Sequence, residues 1–483
     1  MTSPNSFFLI LPENGRQKPL FLNKLAQERD HLPSFVRNCP VAMRYLDLLG
    51  PLAWHLFPER GLKPRGQHEH TLRYASFAAA HLVKLEEGFA STSKLRRYLS
   101  EHPGLSWLLG FQVQQNGFIP RWSQFQTSLP RNRHFNRVLR KMPNVALQVL
   151  LGSSVRMLQA ELAEIAPMFG QAISLDTKLV LAWVRENNPK AYVKDRYNPD
   201  KQPKGDPDCR LGVKRRKNIR PGTQAASTPK ENPVRGSTVF TQAEFYWGYA
   251  SGVVATKVPG WGEFVLAELT QPFNKGDATY FFPLMADVER RLGFRPHFGS
   301  LDCAYDAFYV YEYFHSDEHD GFAAVPLAER GSYKERFFDP DGLPLCKAGL
   351  AMPLKFTFTD RTRAIIEHER GKYVCPLLFP QPNGKSCPVD HKRWNKGGCT
   401  ADMPTSVGAR IRYQLDRDSD VFKKAYNQRT ATERINSQAK GLGIERPRLR
   451  NQQAIANQNT LVYILINLRA LRRVRQKKAA LSS

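Results

Sequence analysis

An α/β fold, preceded by a helical domain and interrupted by a mainly β insertion, is predicted by three observations. Short apolar runs with branched and aromatic residues, such as QAISLDTKLVLAW from Gln171 and the stretch Thr238 to Ala255, have the character of strands. Runs with apolar residues at three- and four-residue steps lie before and among them, and these read as helices. Finally, the segment 316–420 is too long to be a simple connection in a compact core, and its FTFTD and KYVCPLLF phrases are strand-like. The shifts in texture divide the chain into 1–65, without clear structure; 66–165, helical; 166–315, the first part of the core; 316–420, the insertion; and 421–483, the rest of the core.

Residues 1–65 are rich in proline and polar residues and show no strong period. From Thr71 the pattern turns helical, with Leu72, Ala75, Ala79, Leu82 and Val83 at three- and four-residue steps up to Gly88. Ser91 or Ser93 is placed to cap a second helix through Leu95, Tyr98 and Leu99, which must stop before Pro103. SWLLGF, a loop and a long helix from Asn144 to Ala163 follow. Arg121, Arg131, Arg133, Arg137, Arg140 and Lys141 lie between these elements. They are either ordinary solvated cations or the cations of a DNA-binding face.

Asp176 interrupts the first strand run, and a carboxylate there is costly unless it is paired, bound to a cation or turned to solvent. The segment from Tyr192 to Gly236 is polar, basic and proline-rich, with KRRKN at 214–218, and reads as a loop suited to phosphate contact. Strands are expected at Thr238 to Ala255 and Phe264 to Leu269, and a helix at Phe281 to Leu292, where Leu284, Val288 and Leu292 are spaced by four. The phrase HFGSLDCAYD then ends a strand on Asp302, with Asp306 a competitor four residues on. Near the C-terminus, Leu461, Leu465, Leu468 and Leu471 line one face of a last helix that ends in RALRRVRQKK and should pack on the core.

The chain has 71 Lys plus Arg against 44 Asp plus Glu, a formal net charge of +27 and a pI near 9.9. Such an excess points to a polyanionic partner, nucleic acid ahead of an anionic membrane. The longest apolar run, Leu461 to Ile466, is far below the roughly 20 residues of a membrane span. A cytoplasmic location is expected, and with it seven reduced cysteines. Four of them, Cys346, Cys375, Cys387 and Cys399, fall in the insertion, where a zinc site would staple a small domain. His368 or His391 would be a substitute ligand, and the absence of a close Cys-x2-Cys pair leaves plain thiols as the alternative.

The stretch Tyr426 to Lys440 reads YNQRTATERINSQAK. As one helix at about 100° per residue, it puts Tyr426, Arg429, Glu433 and Lys440 within about 60° of each other, with Ala431, Ile435 and Ala439 on the far side. The spacing Tyr-x2-Arg-x3-Glu-x6-Lys resembles the signature helix of one branch of the insertion-sequence DDE transposases. The strand-ending phrase at Asp302 and the order of elements around IPRWSQFQTSL are similar to that group as well. The resemblance covers about residues 70 to 470 and implies an RNase H-like core of retroviral-integrase type with a mainly β insertion.

It further implies that Asp176, Asp302 and Glu433 hold two Mg2+ ions, for which Mn2+ can substitute, about 3.5 to 4 Å apart. Tyr426, Arg429 and Lys440 would then bind DNA phosphates. The implied reaction is metal-dependent cleavage at transposon ends and strand transfer into target DNA. The partners would be double-stranded DNA, namely the terminal inverted repeats and the target, and a second copy in a homodimer; the location would be the nucleoid. An end-binding repressor without catalysis, or a nuclease that does not join, is the alternative. For Asp306 a charge role at a helix N-terminus is expected.

Overall fold

The computed structural model describes residues 22–60, 72–115, 125–220, 238–315, 321–328, 336–361, 365–389 and 393–482. It is an α/β protein with one large mixed sheet, a helical layer and a smaller antiparallel sheet. The helical layer starts earlier than the sequence pattern suggests. Short helices at Leu22–Gln27, Ser34–Arg37 and Pro40–Leu49 bury Leu22, Val36, Tyr45, Leu46 and Leu49. Proline at the start of the third helix costs no hydrogen bond there, so the composition that looked irregular is compatible with helix. The expected helices follow at Tyr74–Glu86, Thr92–Glu101 and Asn144–Leu162. Ser91 is the residue that caps, its hydroxyl accepting from Lys94 N at 3.3 Å. The basic helix Asn132–Lys141 lies between them, and a small antiparallel ribbon joins β1 (Gln112–Gln115) to β2 (Phe125–Ser128). Arg121 lies outside the described residues.

The large sheet contains β3 (Ala172–Leu181), β4 (Arg210–Arg220), β5 (Thr238–Val258), β6 (Gly262–Pro272), β7 (Phe298–Leu301) and β8 (Phe322–Ala324). Its body runs β6-β5-β3-β7-β8, antiparallel across β6, β5 and β3 and parallel across β3, β7 and β8. β5 is 21 residues long. Its second half lies between β3 and β6, while its first half pairs with β4 from Thr238↔Arg220 to Gly248↔Arg210. The KRRKN segment, expected as a loop, is therefore a strand. A run of cations fits an edge strand, where unpaired backbone on one side discourages burial and favours charge.

Alternation along β3 separates two faces. Ile173 and Leu175 join a core with the helix Phe281–Leu292, whereas Val180 joins a core with the C-terminal helix Gln452–Ser482. That second core also takes in Leu22, Tyr45, Phe77 and Leu147, so the helical layer and one sheet face are a single packed unit. The C-terminal helix is buried well beyond its leucine stripe, and its polar residues find partners on the sheet. Asn467 Nδ2 donates to Val265 O and its Oδ1 accepts from Val265 N, each at 2.9 Å. Among the described residues no helix is long and apolar enough to cross a membrane.

The insertion carries β9 (Leu354–Asp360), β10 (His368–Val374) and β11 (Thr400–Pro404), an antiparallel sheet with β10 in the middle. It docks through the helix Val407–Gln414, which lies against the helix Phe308–Phe314 after β7. The approach requires glycine at 408, because a Cβ there would come within 2.1 Å of Phe308 O. Asp306 has partners beyond the helix terminus expected for it. Arg412 Nε donates to it at 2.6 Å, a second guanidinium nitrogen also reaches it, and Ala328 N donates at 2.8 Å. From its position just before the N-cap Ala307 of the helix Phe308–Phe314, it also ties the insertion to the core.

Candidate active site

The parallel pairing of β3 with β7 builds the centre of the site. Leu175 is in register with Leu301, the last residue of β7, so Asp176 in β3 and Asp302 just past the end of β7 follow a paired position. Asp302 leaves the sheet into a turn that its own side chain fixes, accepting from Ala304 N at 2.6 Å. Asp176 remains in the strand. Burial pushes its carboxyl up to about 6, with Asp302 and Asp277 adding to the rise and Arg429 opposing it. Two carboxylates in a partly dry site repel each other unless a cation comes between them, which is the electrostatic condition for a divalent ion.

The Tyr426–Lys440 stretch lies over this pair, but not as one uninterrupted α-helix. An α-helix ends at Tyr426, a tighter 3-10 turn spans Asn427–Arg429, and a second α-helix runs Thr430–Gly441. Ser300 Oγ donates to Tyr426 O at 2.8 Å, which fastens the turn to β7. Ala431, Ile435 and Ala439 are buried as the spacing of four requires. Arg429 Nη1 donates to Tyr426 OH at 2.9 Å, and the guanidinium lies in the field of both Asp176 and Asp302. Glu433 has a side chain 57% exposed, with Oε1 3.9 Å from Arg429 Nε. Lys440, 66% exposed, is 3.6 Å from Glu445 Oε2.

The residue that joins helix to strand is one the sequence did not single out. Asn436 Nδ2 donates to Asp176 Oδ2 at 3.0 Å. It lies one helical turn after Glu433, hence on the same face about 4.5 Å along the axis. Glu433, one turn earlier, turns its side chain to solvent and has Arg429 as its ion-pair partner. Its i,i+3 relation to Asn436 was the available signal, but an asparagine on a polar face carries no chemical mark of its own.

Asp277 is the other residue not foreseen. It accepts from Thr177 Oγ1 at 2.8 Å, and burial raises its pKa, with Asp302 adding to the rise. Thr177 alternates with Asp176, so this carboxylate approaches the pair from the opposite face of the sheet. The same buried surroundings hold Tyr305, whose hydroxyl is pushed far up by burial and by Asp277, Asp176 and Asp302.

In the insertion, Cys399 lies against both Cys375 and Cys346, and its thiol is pushed up to about 12 by burial and by those two neighbours. Cys387 is half-buried. His368 is engaged elsewhere, its Nδ1 3.1 Å from Ile366 O and its ring 4.6 Å from that of Phe308. His391 lies outside the described residues. Among the described residues no group of three or more His, Cys, Asp or Glu side chains is arranged to hold a metal ion. The carboxylates at the sheet and the thiols of the insertion are thus neighbours without forming a closed shell. No protein-family model, no curated protein and no solved structure matches the chain.

Proposed function

We propose that the chain is a DDE transposase, cutting DNA at transposon ends and joining them to target DNA by phosphoryl transfer. The observation that carries this reading is the convergence of three segments far apart in sequence. The register of β3 with β7 runs up to Leu175 and Leu301, the residues just before Asp176 and Asp302, and Asn436 bonds Asp176 from the helix that bears Glu433. The strand order β6-β5-β3-β7-β8, with its antiparallel and parallel halves, supports an RNase H-like core. The formal charge of +27 supports double-stranded DNA as the partner.

The donor set fits Mg2+, since Asp176, Asp302 and Glu433 offer hard carboxylate oxygens, two of them in mutual repulsion that a dication relieves. Bound there, Mg2+ would supply activation of water or of a DNA 3′-hydroxyl and charge relief on the leaving oxygen. The protein's own groups do the rest. Asn436 orients the Asp176 carboxylate, the Ala304 amide orients that of Asp302, and Tyr426 aims Arg429 across the site. Arg429 is suited to hold a phosphate as a fork and Lys440 as a point charge. Within this proposal the protein acts as a homodimer on the two ends, in the nucleoid of the cytoplasm. Zinc in the insertion is part of the proposal through Cys346, Cys375 and Cys399, with Cys387 as the fourth thiol.

The experiment is cleavage and strand transfer on DNA carrying the element's own ends, with Mg2+ or with EDTA, comparing parent with Asp302→Asn. Metal-dependent cutting and joining, absent from the variant, is the expected result. End binding with no cutting by the parent would overturn catalysis in favour of a repressor, and nicking without joining would reduce the enzyme to a nuclease.

A further inference from the structure

Two residues beyond Asp176 on β3 stands Lys178, on the same face of the sheet. Its Nζ is 2.6 Å from Glu445 Oε1, while Lys440 reaches the other oxygen of that carboxylate at 3.6 Å. Glu445 is held in place by its backbone, since Leu181 N donates to Glu445 O at 2.9 Å where β3 ends. The turn after the Thr430–Gly441 helix is thereby stitched to the strand that carries Asp176. The result is one carboxylate between two ammonium groups, one from the strand and one from the helix, beside the catalytic carboxylates. The side chains of Lys178 and Glu445 remain 22% and 32% exposed, so an incoming anion can reach them.

Two cations on one anion leave one positive charge unmatched. A carboxylate in that position has the charge and oxygen geometry of a nonbridging phosphate edge, and a phosphodiester would keep both lysines satisfied. A half-exposed ion pair contributes little to stability, whereas phosphate contacts dominate DNA affinity. Glu445 itself remains ionised, because Lys178 and Lys440 outweigh the burial that works against its charge.

We propose that Lys178 is a phosphate-positioning residue of the catalytic face, acting together with Lys440, and that Glu445 is an internal counter-ion which a DNA backbone phosphate displaces. This rests on the transposase reading, which assigns DNA to the site but gives Lys178 and Glu445 no role.

The two residues respond in opposite directions, and that opposition is the test. Binding of a mixed-sequence DNA duplex is measured over a KCl series for the parent, Lys178→Gln, Lys178→Arg and Glu445→Gln, with thermal melts of all four. Lys178→Gln is expected to bind more weakly, with a slope of log K against log salt smaller by about one. Lys178→Arg should restore the slope. Glu445→Gln should bind about two- to fivefold more tightly at low salt, the range of an exposed ion pair released from competition, even where its melting temperature falls. Weaker or unchanged binding by Glu445→Gln, or an unchanged slope in Lys178→Gln, would overturn the inference and reduce the trio to a structural clip. A parent that binds no duplex would overturn the transposase reading as well, while normal parental binding matched by all variants would overturn this inference alone.

Discussion

The end of β3 and the insertion sheet solve opposite problems with the same kinds of residue. At β3 the surroundings are deeply packed: Leu175 and Leu301 are buried beside the carboxylates, and the sheet is covered by helices on both faces. There the core holds the polar groups in place, and can impose on Asp176 a pKa near 6. Among the described residues the insertion's own cluster takes in Met352, Tyr373, Met403 and Ala409, with Cys346 and Cys399 packed against them, and Val374, Cys375 and Leu377 are also buried. So small a core stabilises a domain of that length weakly, and here polar contacts, thiols and the Arg412–Asp306 ion pair help to hold the fold. A large core can carry the strain of a site, whereas a small one depends on its cross-links.

The sharpest way to break this contrast is to disable the deep site and leave the fold intact. Glu433→Gln should abolish cleavage while leaving DNA binding within about twofold, because the exposed carboxylate touches little that supports the structure. Equal cleavage by parent and variant, measured on end-bearing DNA with Mg2+, would refute the metal-ligand assignment.

A carboxyl imposed by the core should also cost the core something. The folded pKa of Asp176 is raised from 3.8 to about 6, so the folded state binds its proton more tightly than the unfolded state does. The contribution is favourable below the ordinary value and is lost as pH rises through about 6, reaching about 3 kcal/mol. Asp176→Asn should therefore melt higher than the parent at pH 7.5 in EDTA, and the advantage should vanish near pH 4. Added Mg2+ should close the gap by stabilising the parent alone. A variant no more stable at pH 7.5 would show that the site stores no such strain.

In the insertion the corresponding experiment removes a cross-link. On the zinc proposal, purified protein contains one zinc per chain, and Cys399→Ser loses it and opens the insertion to protease. End-specific cleavage would fall only as far as Arg412 no longer holds the two parts together. Metal analysis without stoichiometric zinc would leave the thiols as packing, with only about 1 kcal/mol expected from the serine substitution.

What could be read from the sequence divides along the same line. The place of Asp302 after a strand was legible because a strand-ending phrase is local, and that of Asp176 within a strand because a carboxylate inside an apolar run is conspicuous. The packing side of the Thr430–Gly441 helix was legible from Ala431, Ile435 and Ala439 alone. Asn436, Asp277 and the Lys178–Glu445 contact were not, because each depends on which strand or turn arrives opposite it, and that is fixed by register. The strand Arg210–Arg220 was hidden by its cations and polar residues, which read as a loop, and its pairing with the first half of β5 depends on register. The early helices were hidden by brevity, as the six residues of Leu22–Gln27 make fewer than two turns.

The smallest effect is expected on β9. Leu354, Phe356 and Phe358 alternate onto one face of this edge strand and are 42%, 48% and 41% exposed. Phe356 lies opposite Lys372, and Phe358 opposite Arg370, on β10. Large apolar residues left in water this way contribute little to stability, so Phe356→Thr should change the unfolding free energy by no more than about 0.5 kcal/mol. Threonine keeps the strand preference, which isolates the loss of the ring from any change in backbone propensity. A chemical-denaturation curve is enough to measure it. A cost above about 2 kcal/mol would mean that the ring is covered in the free protein, and the contrast between a deep core and an open insertion would then need to be redrawn around whatever covers it.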